Sequence, residues 1–170
     1  IGWGASSRNG GMALTGLKLD ARTVEARYGS ELTHQLYEDA VASVKTLEQI
    51  VTDEKISCSF QYTGHLLVAN KPAHYEAMQE EAEWLAQHFK HETRLVPKNE
   101  LSSEIGSQVF QGGLVDEGSA GLNPAQYVVG LAKAAERAGA MLCARAQVNE
   151  IEPVPKGFRI KTNRGDLISD

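Results

Sequence analysis

The chain has 170 residues, 42% of them hydrophobic and 23% charged, with a formal net charge of −5. That composition excludes a wholly disordered chain. The acidic balance, with no local basic patch, excludes a nucleic-acid partner and an anionic membrane surface, and no apolar run approaches the roughly 20 residues of a membrane span. Two cysteines, Cys58 and Cys143, make neither a disulfide scaffold nor a zinc site, so a reducing, cytoplasmic setting is expected. The chain opens at Ile1 without an initiator Met and ends at Asp170 within an apparent strand, so it reads as an internal piece of a larger protein.

Residues 1–19 hold a concentration of glycine and small residues and read as a loop with at most a short helical turn. Residues 30–54 read as a helix with Ser30 as its N-cap. Leu32, Leu36, Ala40, Val44, Leu47 and Val51 form the expected apolar stripe. Ile56, Cys58, Phe60 and Tyr62 alternate with polar residues. With Thr63-Gly64 and the apolar run His65–Ala69 they predict a β-hairpin.

Residues 72–91 predict a second helix. Pro72 stands at its first position, and Met78, Ala82, Leu85 and Phe89 form its buried face. A short strand over 93–97, a small helix over 99–106 capped by Asn99, and a strand with a glycine-rich loop over 107–122 follow. Asn123, Pro124 and Gly139 bracket a helix over 124–138, with Tyr127, Val128, Leu131, Ala135 and Ala138 on its stripe. Residues 141–151, 158–162 and 167–170 read as strands, turned at Lys156-Gly157 and at Asn163–Asp166. Helix followed by meander is an α/β arrangement.

The loop Gly4-Ala5-Ser6-Ser7-Arg8-Asn9-Gly10-Gly11 gathers two hydroxyls, a guanidinium, an amide and bare backbone donors. Such a loop cradles phosphate oxygens or a planar polar ring, or it is a plain surface turn. His88 and His91 share a helix face beside Glu92. Without a third ligand they read as exposed helix-end residues rather than a metal site. His65 reads as a satisfied core or pocket-edge residue, and His34 and His74 as surface residues. Cys58 and Cys143 read as buried, inert thiols. Asp116 and Glu117 read as solvated loop acids, or as a seat for a cationic amine.

The run Gly2-Trp3-Gly4-Ala5-Ser6-Ser7-Arg8-Asn9-Gly10-Gly11 resembles the second flavin-contacting segment of FAD-dependent amine and amino-acid oxidases, the D-amino-acid-oxidase or glycine-oxidase-like family. Its nearest branch is that of the gamma-glutamylputrescine oxidases, whose usual loop has Gly where Ser7 stands. Gly121-Leu122-Asn123-Pro124, the following helix and Val148-x-x-Ile151 resemble the family's return into its FAD lobe.

The resemblance implies an incomplete two-lobe α/β fold with an α+β cap and without its N-terminal dinucleotide-binding βαβ unit. Residues 1–27 would be the flavin loop, 28–120 the substrate lobe and 121–170 the return segment. It also implies FAD as cofactor, held through Ala5, Ser6, Ser7, Arg8, Asn9, Gly10, Gly11, Met12 and Val148. The implied activity is C–N bond oxidation of a small amine or amino acid, with hydrogen peroxide released. A related flavin dehydrogenase and a truncated binding module are the alternatives. No catalytic residue is read from the sequence, and the piece alone is expected to bind FAD weakly or not at all.

Overall fold

A computed structural model describes residues 2–169. They fall into two compact units, Gly2–Leu131 and Ala132 onward. Eight strands form three sheets: β1 (Met12–Ala13) with β5 (Ala120–Gly121); β2 (His65–Val68) and β3 (Arg94–Pro97) flanking β4 (Gly112–Asp116); and β6 (Val148–Pro153), β7 (Phe158–Thr162) and β8 (Gly165–Ser169) in order. Every ladder is antiparallel, so no βαβ crossover occurs among the described residues.

Four helices accompany them: α1 (Ala21–Tyr28), α2 (Ser30–Asp53), α3 (Pro72–Phe89) and α4 (Pro124–Arg137). The first was not expected. Asp20 caps it, accepting from the Thr23 amide at 2.8 Å and the Thr23 hydroxyl at 2.8 Å. Gly29, at φ +84°, turns the chain between α1 and α2 without a Cβ penalty. It, rather than Ser30, precedes α2, and no side chain caps that helix.

The buried face of α2 is Thr33, Tyr37 and Val44. Leu32 and Leu36 are exposed at 43% and 37%. The stripe is therefore rotated by one position at its start, because α1 and α3 cover Tyr37 rather than the leucines. Tyr37, Ala21 and Leu85 are buried together, with Val41, Trp84 and Phe89 packed around them. A second core lies at the β2–β4–β3 sheet, where Val96, Leu101 and Val115 are buried against Leu66, Ile105 and Phe110. Leu101 comes from a single 3-10 turn, Leu101–Ser103, that replaces the expected capped helix.

The hairpin over 56–70 does not form. β2 pairs with β4 from His65↔Asp116 to Val68↔Gly113. The segment before it, broken by Ser59 at φ +53°, runs instead beside residues 119–123. Gln61 exchanges 2.9 Å backbone bonds with Gly121, and the Asn123 amide donates to the Cys58 carbonyl at 2.7 Å. The alternation survives in burial only as far as Phe60: Ile56 and Cys58 are buried and Phe60 partly so, but Tyr62, expected on the same face, is exposed.

The second unit carries the end of α4 and the β6–β8 meander. Its strand starts at Val148, so residues 141–147 are not strand, and Met141 is 84% exposed. Cys143 is exposed, against expectation, while Cys58 is buried. Gly157 makes one turn and the Asn163-Arg164 loop the next, with Thr162 opposite Gly165.

Candidate functional site

Residues 4–13 build the loop mostly from their own bonds. Ala5–Ser7 form one 3-10 turn. Asn9 closes it: its Nδ2 donates to the Ala5 carbonyl at 2.9 Å and the Ser6 carbonyl at 3.2 Å, and its Oδ1 accepts from the Gly11 amide at 2.8 Å. This is the αL-tolerant, side-chain-to-backbone chemistry that favours Asn in tight turns. The Ser7 hydroxyl donates to the Gly2 carbonyl. The Arg8 guanidinium lies 3.8 Å over the exposed Trp3 ring, a cation–π contact.

Gly11 is required. Its φ is +66°, and a Cβ there would sit 2.0 Å from the Leu122 carbonyl oxygen. The Leu122 amide donates back to the Gly11 carbonyl at 2.9 Å. β1 then pairs with β5, Met12 opposite Gly121 and Ala13 opposite Ala120.

This loop walls a cavity of about 420 Å³. Ser6, Asn9, Gly11 and Met12 meet there with Ser43, Val44 and Leu47 of α2 and Tyr127 of α4. Burial pushes the Tyr127 phenol above its ordinary range, with the Cys58 sulfur adding to it. Of the residues singled out in the sequence, Ala5, Ser7, Arg8 and Gly10 belong to the same loop but not to this wall. Val148 lies in the second unit, half exposed at the start of β6 and opposite Thr162.

The donors left over decide what the loop can hold. Among the described residues the Asn9 and Gly10 amides and the Ser6 hydroxyl have no hydrogen-bond partner. The Asn9 side chain shapes the turn, and these exposed donors remain for water or for an acceptor-rich ligand. That donor set fits FAD, whose ring and pyrophosphate are acceptors.

A second polar cluster was not foreseen. Asp116 is not a solvated loop acid: its Oδ2 accepts from the Thr15 hydroxyl and faces His91 Nε2 at 3.0 Å, and its Oδ1 accepts from the Gly118 amide at 2.9 Å. Burial alone would raise its carboxyl, but the bonds from His91 and Thr15 hold it below the ordinary carboxylate range. His91 is not an exposed helix-end residue either. α3 ends at Phe89, Lys90 takes φ +53°, and the chain turns His91 inward against Tyr37, ring centroids 5.6 Å apart. No local signal marks a pair 25 residues apart.

Beside this cluster, Tyr37, His65, Glu81, Asp116 and several leucines line another cavity of about 350 Å³. Burial raises Glu81 against the pull of Arg22, whose Nε is 3.5 Å away. His88, still on α3, stacks on Trp84, and His34 packs on Phe89 at 4.5 Å. No cluster of three metal-ligating side chains occurs among the described residues.

The sequence matches the profile of the FAD dependent oxidoreductase (DAO) family over residues 1–169. The chain belongs to that family. It is 25% identical to "Probable oxidoreductase OrdL" of Haemophilus influenzae, covering 99% of this chain and 39% of that protein. It is 24% identical to the gamma-glutamylputrescine oxidoreductase of Escherichia coli K12, covering 98% and 39%. Among solved structures it superposes on glycine oxidase from Geobacillus kaustophilus with a TM-score of 0.74 at 18% identity, covering 99% of this chain and 44% of that one. The chain thus spans about two-fifths of the length of these curated relatives. The fold is the mixed α/β fold of this family, in part, and the family's cofactor is FAD. No helix among the described residues is long and apolar enough to cross a membrane.

Proposed function

We propose that the chain supplies the flavin loop and part of the substrate lobe of an FAD-dependent oxidase of a small amine or amino acid. The observation that carries this reading is the Ser6–Met12 loop: self-braced, walling a cavity, and with the Ser6, Asn9 and Gly10 donors free, in a chain matched to the family end to end. The names of two similar proteins, a gamma-glutamylputrescine oxidoreductase and a glycine oxidase, support an amine or amino-acid substrate.

In this reading residues 1–27 and 121–170 belong to the FAD lobe and 28–120 to the substrate lobe. The pairing of Met12 with Gly121 supports grouping the first two. Ser6, Asn9 and Gly10 donate to the cofactor, and Gly11 brings the backbone close. Ala5, Ser7 and Arg8 would keep the loop's shape, and Met12 and the Val148 backbone would help to hold the cofactor. Bound there, FAD would supply the two-electron oxidation of the amine-bearing carbon. The chain's own share is to bind, orient and exclude water. Overall, the amine, dioxygen and water give a carbonyl compound, the released amine or ammonia, and hydrogen peroxide.

The test is purification of the full-length protein and of residues 1–170 alone. The full-length protein is expected to carry visible flavin and to consume oxygen with a panel of primary amines and amino acids, releasing peroxide. Residues 1–170 alone are expected to retain little or no flavin. Flavin-loaded full-length protein that stays reduced in air would make it a dehydrogenase. Flavin-free full-length protein would leave a binding module.

A further inference from the structure

The chain leaves the candidate flavin loop through β1 and reaches Thr15, which is 3% exposed. There it is fastened from one direction. The Thr15 amide donates to Ser119 Oγ at 3.4 Å, and its hydroxyl donates to Asp116 Oδ2. The same carboxylate oxygen faces His91 Nε2, and these two side chains are 18% and 12% exposed. Asp116 closes β4, His91 follows α3, and Thr15 follows β1. One carboxylate therefore joins the sheet, a helix end and the strand leaving the loop. None of the three residues lines the 420 Å³ cavity. A largely buried carboxylate that lost one of these bonds would keep the others but be left under-bonded, which favours keeping all three in place.

We propose that Asp116 and His91 are positioning residues: acting through Thr15, they fix where the chain leaves the Ser6–Met12 loop, and so where its free donors stand toward FAD. This rests on the flavin reading above.

The test uses the full-length protein with Thr15→Val, which keeps the shape and removes the hydroxyl, and Thr15→Ser, which keeps the hydroxyl. Asp116→Asn serves as a second isosteric variant. Hydrogen exchange of residues 11–15 in the apoprotein reports the strut without any cofactor. FAD titration and the position of the flavin visible band report its effect on the site. Thr15→Val is expected to speed exchange at 11–15 while residues 33–44 of α2 stay protected. It should weaken FAD binding roughly tenfold, the scale of one buried bond to a charged group, and shift the band. Thr15→Ser should restore all three. Asp116→Asn removes the charge but keeps one oxygen able to accept from Thr15, so it should fall between Thr15→Val and wild type. An Asp116→Asn protein worse than Thr15→Val overturns the route through Thr15.

Unchanged exchange in Thr15→Val overturns the strut. Faster exchange with an unchanged FAD constant and band overturns the positioning role. Equal damage from Thr15→Ser assigns the effect to packing and overturns it too. Wild-type protein that takes up no FAD overturns the flavin reading itself and the positioning role with it, while exchange still reports the strut.

Discussion

The two units are ordered by different means. Residues 2–131 contain every buried residue of the described chain, and among them are a helical core around Tyr37 and a sheet core around Leu101 and Val115. From Ala132 on, no described residue is buried, and Val148, Ile151, Phe158, Leu167 and Ile168 are at least half exposed. The β6–β8 meander is held by its ladders and by exposed pairs such as Lys161 Nζ with Glu150 at 3.1 Å and Glu152 at 2.6 Å. Within its strands only Glu152 of β6 and Ile160, Lys161 and Thr162 of β7 are partly covered, and a three-stranded ladder with so little covered surface is only marginally stable.

That contrast can be broken by mutation. Gly11→Ala brings a Cβ onto the Leu122 carbonyl at a strained φ, and the first unit should lose more than about 3 kcal/mol in thermal unfolding. Leu101→Ala empties the sheet core and should cost roughly 3 kcal/mol by urea denaturation. A smaller effect sharpens the difference by pH. Burial, then the Asp116 and Glu81 carboxylates, push the Tyr37 phenol up to about 12 from an ordinary 10. Between those values the unfolded chain gives up a proton the folded chain keeps. Stability should therefore fall as pH rises from 10 to 12, with Tyr37 contributing up to about 2 kcal/mol, and Tyr37→Phe should lessen the fall, leaving the smaller share of the other raised phenols. The smallest effect belongs to the meander. Ile168→Ala should change stability by about 0.5 kcal/mol or less. A cost near that of Leu101→Ala would show that β8 is covered in solution.

What was legible in the sequence is what neighbouring residues decide. Pro72 opens α3 and Asn123-Pro124 opens α4, the latter with Asn123 Oδ1 accepting from the Gln126 amide at 3.0 Å, because capping is local chemistry. The Asn163-Arg164 turn is legible for the same reason. The face of α2 was missed because a leucine stripe and a Thr33–Tyr37–Val44 stripe are both helical, and only packing partners choose between them. The 56–70 hairpin failed because Gln61 finds Gly121, not the adjacent strand. α1 did have a signal, Asp20 three residues before Thr23. In the candidate site, the glycines and Asn9 were visible as a loop. The Asp116–His91 pair was invisible, since its members are unremarkable in their own segments and meet only through the fold.

The strand leaving the glycine-rich loop has a consequence for how the protein is made. Met12, Ala13 and Thr15 are tied to Gly121, Ala120, Ser119 and Asp116, partners more than 100 residues later. A ribosome delivers those partners seconds after the loop has emerged. The bend at residues 4–13 must therefore wait, unset, for most of its unit to be synthesised.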